Sequence, residues 1–453
     1  MEHIKTQAVV CGGGSGGFAA AYTLAKGGIN VILIEKNKGI GGTSVFAGVN
    51  CWEPGVASGK VHRELFSALL KIPDAAAVSK TVPNSRLFIP DSDITDFSRY
   101  PWGLSVKDAH ADYSDTLKRC ISLTGGKSEN YRRFQFEPKT MADTMMSLLK
   151  KYNAHVFCET EFISSVQSQD RITDIIVSQR EREIKISADY FIDATGDIAL
   201  ARDAGCDVTI GTEAKEEYGE PSASKNDPTD INGVSYVFRV TKTDDPSYKD
   251  RFPESEPYPQ NTVSCFNLYP NGDINVNMLP TVKGSDYIKL KDSADEVCRS
   301  LVYSYWNRLQ NDYGMSGYKF MYLFPMPGIR ESYRLKGRYV LTENDLLAGF
   351  EHQARRDEII ALADHARDTH GSGGCNELEN PYGIPFSCML PKEYDNLYVC
   401  CRGASFSHIA ASSARLSRTM LSLGEAAAHA VIMQINDGKI DFPTLKNMQN
   451  IPF

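Results

Sequence analysis

The first strongly patterned stretch of the chain consists of two apolar runs that flank a glycine-rich loop and an alanine-rich segment. Residues 7–11 are mostly apolar, which predicts a short buried strand. Residues 18–26 are rich in alanine and leucine and predict a helix, which Gly27 and Gly28 end. The apolar run at 31–34 predicts a second buried strand. The order of strand, loop, helix and strand is that of a βαβ unit.

Further stretches of the same kind lie far apart along the chain. Residues 186–197 and 395–406 each contain an apolar run that predicts another parallel strand, and a long helical stretch follows the second. Residues 135–165 predict a helix that opens near Pro138 and then a strand. The alternation at 172–186 predicts a hairpin. The sequence therefore predicts an α/β fold, with a Rossmann-like three-layer domain assembled from dispersed segments.

A different pattern fills residues 216–324, where every second residue is apolar in two runs. Such alternation predicts half-buried antiparallel strands, and residues 293–313 predict a helix. We expect an inserted antiparallel β-rich cap domain, with the substrate where it meets the main domain. The alternating residues are Val234, Tyr236, Phe238 and Val240, then Ile274, Val276 and Met278. The predicted divisions are 1–55, 135–215 and 325–453 for the main domain, 216–324 for the cap, and 56–134 for a loop and helix insertion.

Composition and charge narrow the class of protein. The chain has 453 residues, enough for two or three structural units. Its net charge of -8, with no basic stripe, argues against a nucleic-acid partner. No apolar run approaches the roughly 18 residues of a membrane span, and the first residues lack a signal peptide's apolar region. The 11 cysteines form no CxxC pair, so we expect reduced thiols, no metal site and a cytoplasmic location.

Gly12, Gly14 and Gly17 follow the spacing of a dinucleotide-binding loop. Gly12 permits a tight turn, Gly14 lets the backbone approach a pyrophosphate, and Gly17 lets helix and strand pack closely. The helix that follows offers N–H groups and partial positive charge to phosphates. Glu35 lies near the ~20-residue spacing at which an acid binds ribose hydroxyls. The alternative is an ordinary βαβ unit with a glycine-rich turn.

The glycine loop continues to Gly41-Gly42-Thr43-Ser44, and three more blocks accompany it, at 191–205, 327–349 and 390–430. Together they resemble the FAD-dependent oxidoreductase family, in the glutathione-reductase-type superfamily and closest to the branch of fumarate reductase and succinate dehydrogenase flavoproteins. The resemblance implies an FAD-binding main domain. It also implies noncovalent FAD, because no histidine lies between residues 4 and 59, where this superfamily attaches its flavin. Relatives tend to have Pro, Gln and Gly where this chain has Arg418, Glu425 and Ala428.

The resemblance also implies which residues would bind FAD. The backbone of Phe162 would lie near the adenine. Ser412 and Ser413 would cap a helix that points at the flavin ring, and Arg415 would add positive charge there. The full set is Gly12, Gly14, Ser15, Gly16, Gly17, Glu35, Lys36, Gly42, Thr43, Ser44, Ala47, Gly48, Phe162, Ala194, Thr195, Gly196, Asp197, Arg402, Ser413 and Arg415.

The residues for chemistry are less strongly indicated. No second GxGxxG follows a strand and no CxxxxC dithiol is present, so the substrate or electron partner must meet the flavin directly. His370 is the first candidate for proton transfer because imidazole titrates near neutral pH, and Asp368 could orient its ring. The alternative for His370 is a histidine that satisfies hydrogen bonds in a loop. His408 and Arg330 are further candidates. The charged residues of segment 330–334 either bind an anionic substrate or pair internally.

Two functions fit these observations. One is an oxidoreductase that exchanges a hydride between FAD and a small polar substrate of the hydroxy-acid, sugar or dicarboxylate class. The other is a flavin-carrying subunit or binding protein that needs partner proteins. An electron-acceptor protein or a quinone would be the partner in electron transfer. The predicted cap and His370 favour the enzyme. Cys51, Cys375, Cys400 and Cys401 are expected to be packing thiols, because no activating pattern surrounds them.

Overall fold

The computed structural model describes residues 2–52, 55–81, 87–90, 133–253, 263–269, 271–312, 314–370 and 375–451. Most of the predicted insertion at 56–134, and the glycines that follow His370, lie outside the described residues. The strands are β1 Glu2–Lys5, β2 Ala8–Cys11, β3 Val31–Ile34, β4 Cys51–Trp52, β5 Ala76–Thr81, β6 Leu87–Pro90, β7 Arg133–Phe136, β8 His155–Phe157, β9 Thr160–Ser168, β10 Arg171–Gln179, β11 Arg182–Ser187, β12 Tyr190–Asp193, β13 Val208–Thr209, β14 Val237–Lys242, β15 Val263–Leu268, β16 Ile274–Leu279, β17 Tyr318–Leu323, β18 Arg334–Leu335, β19 Ile359–Ala363, β20 Arg367–Asp368, β21 Cys375–Asn376, β22 Tyr382–Pro385 and β23 Leu397–Val399.

The α-helices of the described residues follow the same order along the chain. They are α1 Ser15–Lys26, α2 Gly42–Phe46, α3 Val61–Leu69, α4 Pro138–Lys151, α5 Ala199–Asp203, α6 Lys215–Tyr218, α7 Gly284–Leu290, α8 Ala294–Asp312, α9 Glu343–His352, α10 His408–Ala414, α11 Ser417–Asp437 and α12 Phe442–Met448. Short 3₁₀ turns lie at Lys291–Ser293, Arg356–Glu358 and Phe386–Met389.

A five-stranded parallel sheet, in the order β23-β12-β2-β3-β8, lies at the centre of the largest core. Every residue of β2 and β3 is buried, as continuous apolar runs predict for strands that are covered on both faces. Helix α1 packs on this sheet, and α11 packs on α1. Gly424 of α11 leaves no room for a side chain, because the backbone of Gly16 lies against it. The four predicted parallel strands are confirmed.

A second sheet, in the order β1-β11-β10-β9, makes a further layer. Strands β9, β10 and β11 pair antiparallel, so the predicted hairpin at 172–186 is confirmed, and β1 adds to β11 in parallel. Apolar side chains of this sheet, Ile175 and Ile186 among them, belong to the same buried cluster as the parallel sheet. Helices, parallel sheet and this sheet therefore surround one continuous core.

A third sheet has eight strands, in the order β17-β14-β16-β15-β6-β5-β7-β4. The predicted antiparallel strands β14 and β16 are confirmed, as is the helix at 293–313, which is α8; β15, which was not predicted, pairs with β16. Helix α8 buries Trp306 against Phe238 in a separate core. Strands β4 to β7 also join this sheet, and β7 spans the predicted boundary between residues 134 and 135. That this layer acts as a substrate cap stays a prediction.

The expectation that only one face of β14 and β16 is buried is wrong. Arg239 is 7% exposed and Asn275 is 1% exposed, although both lie at the polar positions of the alternation. The Asn275 amide donates to the carbonyl of Gly48 at 3.1 Å, and Arg239 makes ion-paired hydrogen bonds to Glu137 at 2.7 and 2.9 Å. The second face is buried because it contacts segments of the main domain at Gly48 and Glu137.

Within the described ranges, no helix is long and apolar enough to cross a membrane. No group of His, Cys, Asp or Glu side chains in those ranges is arranged to hold a metal ion. The described cysteines Cys11, Cys158, Cys206, Cys298, Cys388, Cys400 and Cys401 are free thiols. Burial raises the pKa of the Cys400 and Cys401 thiols, which fits a packing role, whereas Cys375 is exposed and the packing role predicted for it is wrong.

Candidate active site

The glycine loop between β2 and α1 is held in a conformation that only glycine adopts easily. Gly12 has a φ of 96°, and a side chain there would come within 2.5 Å of the carbonyl of Ala194. A side chain on Gly17 would collide with the carbonyl of Gly12. At Gly14, by contrast, an added Cβ would meet no atom within 4 Å. The loop is therefore closed on the sheet side and open on the side that faces away from it.

The N-terminus of α1 lies beside this open space. Its N-cap, Gly14, provides no side-chain hydrogen bond, and the first turn contains no acidic residue. The backbone N–H groups of such a turn attract anions. Glu35, at the end of β3, is 6% exposed, and its carboxylate accepts a hydrogen bond from the backbone N–H of Gly13 at 2.7 Å. Glu35 is therefore fixed next to the glycine loop.

A groove of about 750 Å³ opens beyond the end of β3. Lys36 and Lys38 line it from the loop after β3, and Glu161 and Arg180 line it from β9 and the turn after β10. Phe162, predicted to lie near the adenine, is the next residue along β9 and packs against the large core. Of these two predicted residues, Lys36 lines the groove, whereas the side chain of Phe162 packs into the core.

The second predicted cofactor segment, Gly42 to Gly48, lies against the glycine loop. Gly42 has a φ of 51°, and a side chain there would come 2.9 Å from the Cα of Gly14. The Ser44 hydroxyl lies 3.3 Å from that of Ser417. A side chain on Gly48 would come 2.5 Å from the ring of Phe324, because the large sheet packs there. Within this segment Thr43 and Ala47 form a backbone hydrogen bond of 3.2 Å, so the segment is a compact turn between two layers.

The third predicted segment, Ala194 to Asp197, closes the other side of the loop. Asp193, fully buried, accepts hydrogen bonds from the backbone and the hydroxyl of Thr195 at 3.0 and 2.8 Å. The guanidinium of Arg402 lies over Gly196 and is 3.6 Å from the Asp197 carboxylate. Its buried Nε makes no hydrogen bond within the described part of the chain. This arginine therefore has hydrogen-bonding capacity that a ligand could use.

The prediction that Ser412 and Ser413 cap a helix is wrong. Both residues are buried inside α10, and the Ser413 hydroxyl donates to the carbonyl of His365. The next helix, α11, begins at Ser417, with no side-chain cap and no acidic residue in its first turn. The predicted helix N-terminus therefore exists, but it lies a few residues later than expected, beside Ser44.

Arg415, between α10 and α11, connects this region to the predicted catalytic segment. Its guanidinium donates to the carbonyl of Asp368 at 3.3 Å. Gly42 lies against Gly14, Ser44 contacts Ser417, and Arg415 contacts Asp368; the short chain segments 42–44 and 415–417 join these three contacts into one wall.

His370 is the residue at the end of this wall. Its Nε2 lies 2.6 Å from the Asp368 carboxylate, as predicted, and both side chains are largely buried. Burial, with help from Arg330 and Arg415, lowers the pKa of His370 to about 4 despite the carboxylate. Although burial opposes it, the hydrogen bond from His370 lowers the pKa of Asp368. At neutral pH a neutral imidazole therefore donates from Nε2 to an ionised Asp368, and Nδ1 carries the lone pair.

Arg330 approaches His370 from the large sheet. It donates to the carbonyl of Gly233 at 2.7 Å and to the Ser235 hydroxyl at 2.9 Å. Glu331 and Arg334 point elsewhere: Arg334 is fully buried and forms ion pairs with Glu331 and Glu213. The alternatives for segment 330–334 therefore divide between its members. Glu331 and Arg334 pair internally, whereas Arg330 bonds to Gly233 and Ser235 and its charge helps to lower the pKa of His370.

His408 lies in this internal ion-pair cluster. It is 5% exposed, and its Nδ1 is 2.9 Å from the Glu331 carboxylate. Its backbone N–H donates to Glu213 at 2.9 Å. Burial, together with Arg334, lowers the pKa of His408 to about 4. One ring nitrogen of His408 is therefore engaged by protein, and a role for His408 in proton transfer stays a prediction.

The structure adds residues that the sequence patterns did not indicate. Arg418 is buried and bonds to the carbonyl of Val56 at 2.6 Å and to Asp364 at 2.7 Å. Glu425 accepts the backbone N–H groups of Lys60 and Val61 at the start of α3. Two of the departures from the family pattern, Arg418 and Glu425, therefore hold the segment before α3 against α11. The sequence signal that could have indicated this role is that both residues depart from the family pattern.

Three features decide whether FAD fits these residues. The first turn of α1 is uncapped and faces open space at Gly14, as a diphosphate requires. A buried carboxylate, Glu35, stands beside that turn, and a buried nitrogen of Arg402 has no partner in the described ranges. The first turn of α11 is also uncapped, further along the same wall. These residues fit a long, anionic dinucleotide.

Comparison with known proteins places the chain in a family. Its sequence matches the family profile described as FAD dependent oxidoreductase over residues 7–448. No curated protein sequence matches it. Among solved structures it is similar to a geranylgeranyl bacteriochlorophyll reductase-like protein from Thermoplasma acidophilum, at 13% identity and a TM-score of 0.49, with 99% of this chain and 83% of that chain covered.

Two other solved structures are similar in the same way. One is p-nitrophenol 4-monooxygenase from Pseudomonas putida, at 12% identity and a TM-score of 0.49, with 99% of this chain and 84% of that chain covered. The other is a flavoprotein/dehydrogenase from Cytophaga hutchinsonii, at 11% identity and a TM-score of 0.47, with 98% and 82% covered. The family profile itself spans nearly the whole sequence, glycine loop and C-terminal helices included. The chain therefore belongs to the FAD dependent oxidoreductase family.

Proposed function

We propose that this FAD-dependent oxidoreductase exchanges a hydride between noncovalently bound FAD and a small polar substrate, with His370 as the residue that transfers the proton. The proposal is supported by three contacts joined along the chain, from Gly14 to Asp368, and by the 2.6 Å Asp368–His370 pair beside the last of them. Arg330 bonds to Gly233, whose backbone lies against His370. These contacts support a site in which the flavin end of the cofactor, the proton acceptor and a positive charge would come together.

The protein's own groups suit a proton transfer at Nδ1 of His370. With a pKa of about 4, His370 is in its acceptor form at neutral pH. When Nδ1 takes a proton from a substrate hydroxyl, the ionised Asp368 stabilises the imidazolium that forms. In the opposite direction the same imidazolium returns the proton. Arg330 and Arg415 favour the neutral ring before reaction, because a second positive charge beside them is unfavourable.

FAD, when bound, supplies the two-electron acceptor or donor for the hydride. The N-terminus of α1 would face its pyrophosphate, and Glu35 would bind its ribose hydroxyls. Arg402 would use its unpartnered nitrogen on the same ligand. The N-terminus of α11, which begins at Ser417, and Arg415 would place positive charge near the ring. The remaining predicted contacts, including the backbone of Phe162 at the adenine, are part of this proposal.

The substrate class that we propose is a hydroxy acid, a sugar or a dicarboxylate. A hydroxyl provides the proton that His370 accepts, and a carboxylate would find Arg330 beside it. The large sheet would act as the cap that covers the substrate. The same proposal includes three further points. They are a nearer relationship to fumarate reductase flavoproteins, an electron-acceptor protein or quinone as partner, and a cytoplasmic location.

The proposal is tested with purified protein. The protein should be yellow and should release FAD, not FMN, on denaturation. One member of an anaerobic panel of hydroxy acids, sugars and dicarboxylates should bleach the flavin absorbance. A colourless protein that cannot be reconstituted with FAD would contradict the cofactor assignment. A yellow protein that no panel member reduces would contradict the proposed substrate class.

A further inference from the structure

The backbone of Gly233 lies directly against His370. A Cβ added at Gly233 would come within 2.5 Å of the His370 carbonyl and 2.7 Å of the Pro280 ring. Real Cβ atoms do not approach other atoms this closely, so any side chain here would displace one of these groups. His370 itself has a φ of 46°, in the left-handed region that non-glycine residues seldom occupy. The position of His370 therefore depends on what its neighbours allow.

Two consecutive residues hold the segment around Gly233 from the same side. Arg330 donates to the Gly233 carbonyl at 2.7 Å and to the Ser235 hydroxyl at 2.9 Å. Glu331 accepts the backbone N–H of Asn232 at 2.8 Å and its side-chain amide at 3.0 Å. Asn232, Gly233 and Ser235 are therefore held against Arg330 and Glu331. We call these two residues the clamp.

Buried residues of the main domain hold the clamp in place through Glu331. Glu331 is 1% exposed and bonds to Nδ1 of His408, the first residue of α10, at 2.9 Å. Arg334 forms an ion pair with Glu331 and donates to the carbonyl of Phe406 at 2.9 Å. Because these groups are packed and mutually bonded, the clamp cannot move far without breaking several buried hydrogen bonds.

We propose that Gly233 is a positioning residue for His370: its missing side chain lets the segment from the large sheet seat against the His370 backbone, and Arg330 and Glu331 hold it there. The inference rests on the proposed function, since the position of His370 matters to the reaction only if His370 transfers the proton. In this proposal His408 bonds to Glu331 and holds it in place, and it does not contact the substrate.

The packing of Gly233 against His370 should affect the pKa of His370. The charged or titratable groups that face His370 are Asp368, Arg330 and Arg415, and His365 faces Asp368. If Gly233 is pushed away, Arg330 moves with it and water reaches the imidazole. Both changes favour the protonated ring, because a positive charge is removed and burial is relieved. The pKa of His370 should then rise from about 4 toward the ordinary value of 6.5.

The experiment is a pH titration of ¹⁵N-histidine-labelled holoprotein by NMR, with His370→Asn to assign the signal. Gly233→Ala should raise the pKa of His370 by roughly one unit or more. The matched control is Gly337→Ala, because a Cβ at Gly337 would also come within 2.5 Å of a backbone carbonyl, that of Leu390, but not near His370. Gly337→Ala should leave the His370 titration unchanged.

An unchanged His370 titration in folded Gly233→Ala protein, or an equal shift in Gly337→Ala, would overturn the inference. If Gly233→Ala does not fold, Asn232→Ala replaces it, since that change removes one bond to Glu331 and leaves the backbone bond. A smaller upward shift is then expected, and no shift overturns the inference. Failure of His370→Asn to slow flavin reduction would instead contradict the proposed function, whatever the titration shows.

Discussion

Replacing Arg334 with methionine tests whether the ion-pair cluster stabilises the protein or binds substrate. Arg334 is fully buried and bonds to four groups: the carboxylates of Glu213 and Glu331 and the carbonyls of Gly211 and Phe406. Arg334→Met fills similar space but leaves two buried carboxylates without their cation. Removing one partner of a buried ion pair costs about 3–5 kcal/mol in the free energy of unfolding.

The assay is urea unfolding of the FAD-loaded protein, followed by flavin fluorescence and far-UV circular dichroism. A loss of about 3–5 kcal/mol is a large part of the roughly 5–15 kcal/mol that stabilises a typical domain. The control is Lys139→Met, because the Lys139–Asp143 pair is exposed and worth about 0.3–0.5 kcal/mol. Adding Glu213→Gln to Arg334→Met should restore part of the loss, since one uncompensated charge is then removed.

An Arg334→Met protein that unfolds within about 1 kcal/mol of wild type, with a raised KM for the substrate, would refute this reasoning. That outcome would make Arg334 a substrate ligand. If Arg334→Met does not accumulate as folded protein, Arg334→Lys is measured instead. Lysine keeps the charge but cannot bond to both carboxylates and both carbonyls, so an intermediate loss is expected.

Three further predictions concern the cofactor, the pH dependence and the segment before α3. Gly14→Val should block the pyrophosphate approach and weaken FAD binding to apoprotein in calorimetry; unchanged affinity would place the phosphates elsewhere. The rate of flavin reduction should fall below about pH 4, where His370 becomes protonated, and Arg330→Met should move that midpoint upward because a positive charge is removed. A midpoint that moves downward would contradict the sign. Glu425→Ala should cost about 0.5–2 kcal/mol in urea unfolding, because α3 loses its N-terminal acceptor; no loss would show that the contact is not stabilising.

The parallel sheet could be predicted because its signals are local. β2 and β3 are apolar at every position, and Gly12 and Gly17 stand where turn and packing leave no room for a side chain. The pairing of Asp368 with His370 was predictable because the two residues are two positions apart, although His370 has a left-handed φ of 46° and not the extended conformation on which the prediction relied.

The other features of the fold and of the candidate site could not be predicted, because they depend on contacts between distant parts of the chain. Strands β5 and β7 join the large sheet through partners that no local pattern names. Gly233 contacts His370 across two layers, and its sequence context indicates only an alternating strand. Ser413 sits before a long helical run, as a cap would, but it lies inside α10, the helix that precedes this run, and is buried against His365. Tertiary packing decides such positions, and hydrophobic periodicity does not report it.

The most direct test of the account is the anaerobic flavin reduction of His370→Asn with the substrate that bleaches the wild-type flavin. Asparagine keeps a polar side chain of similar size but cannot take up a proton. The account predicts that His370→Asn still binds FAD and reduces it about 100-fold more slowly than wild type, or slower still. Reduction of the variant at the wild-type rate would contradict the assignment of His370 and would direct attention to Arg330 and His408.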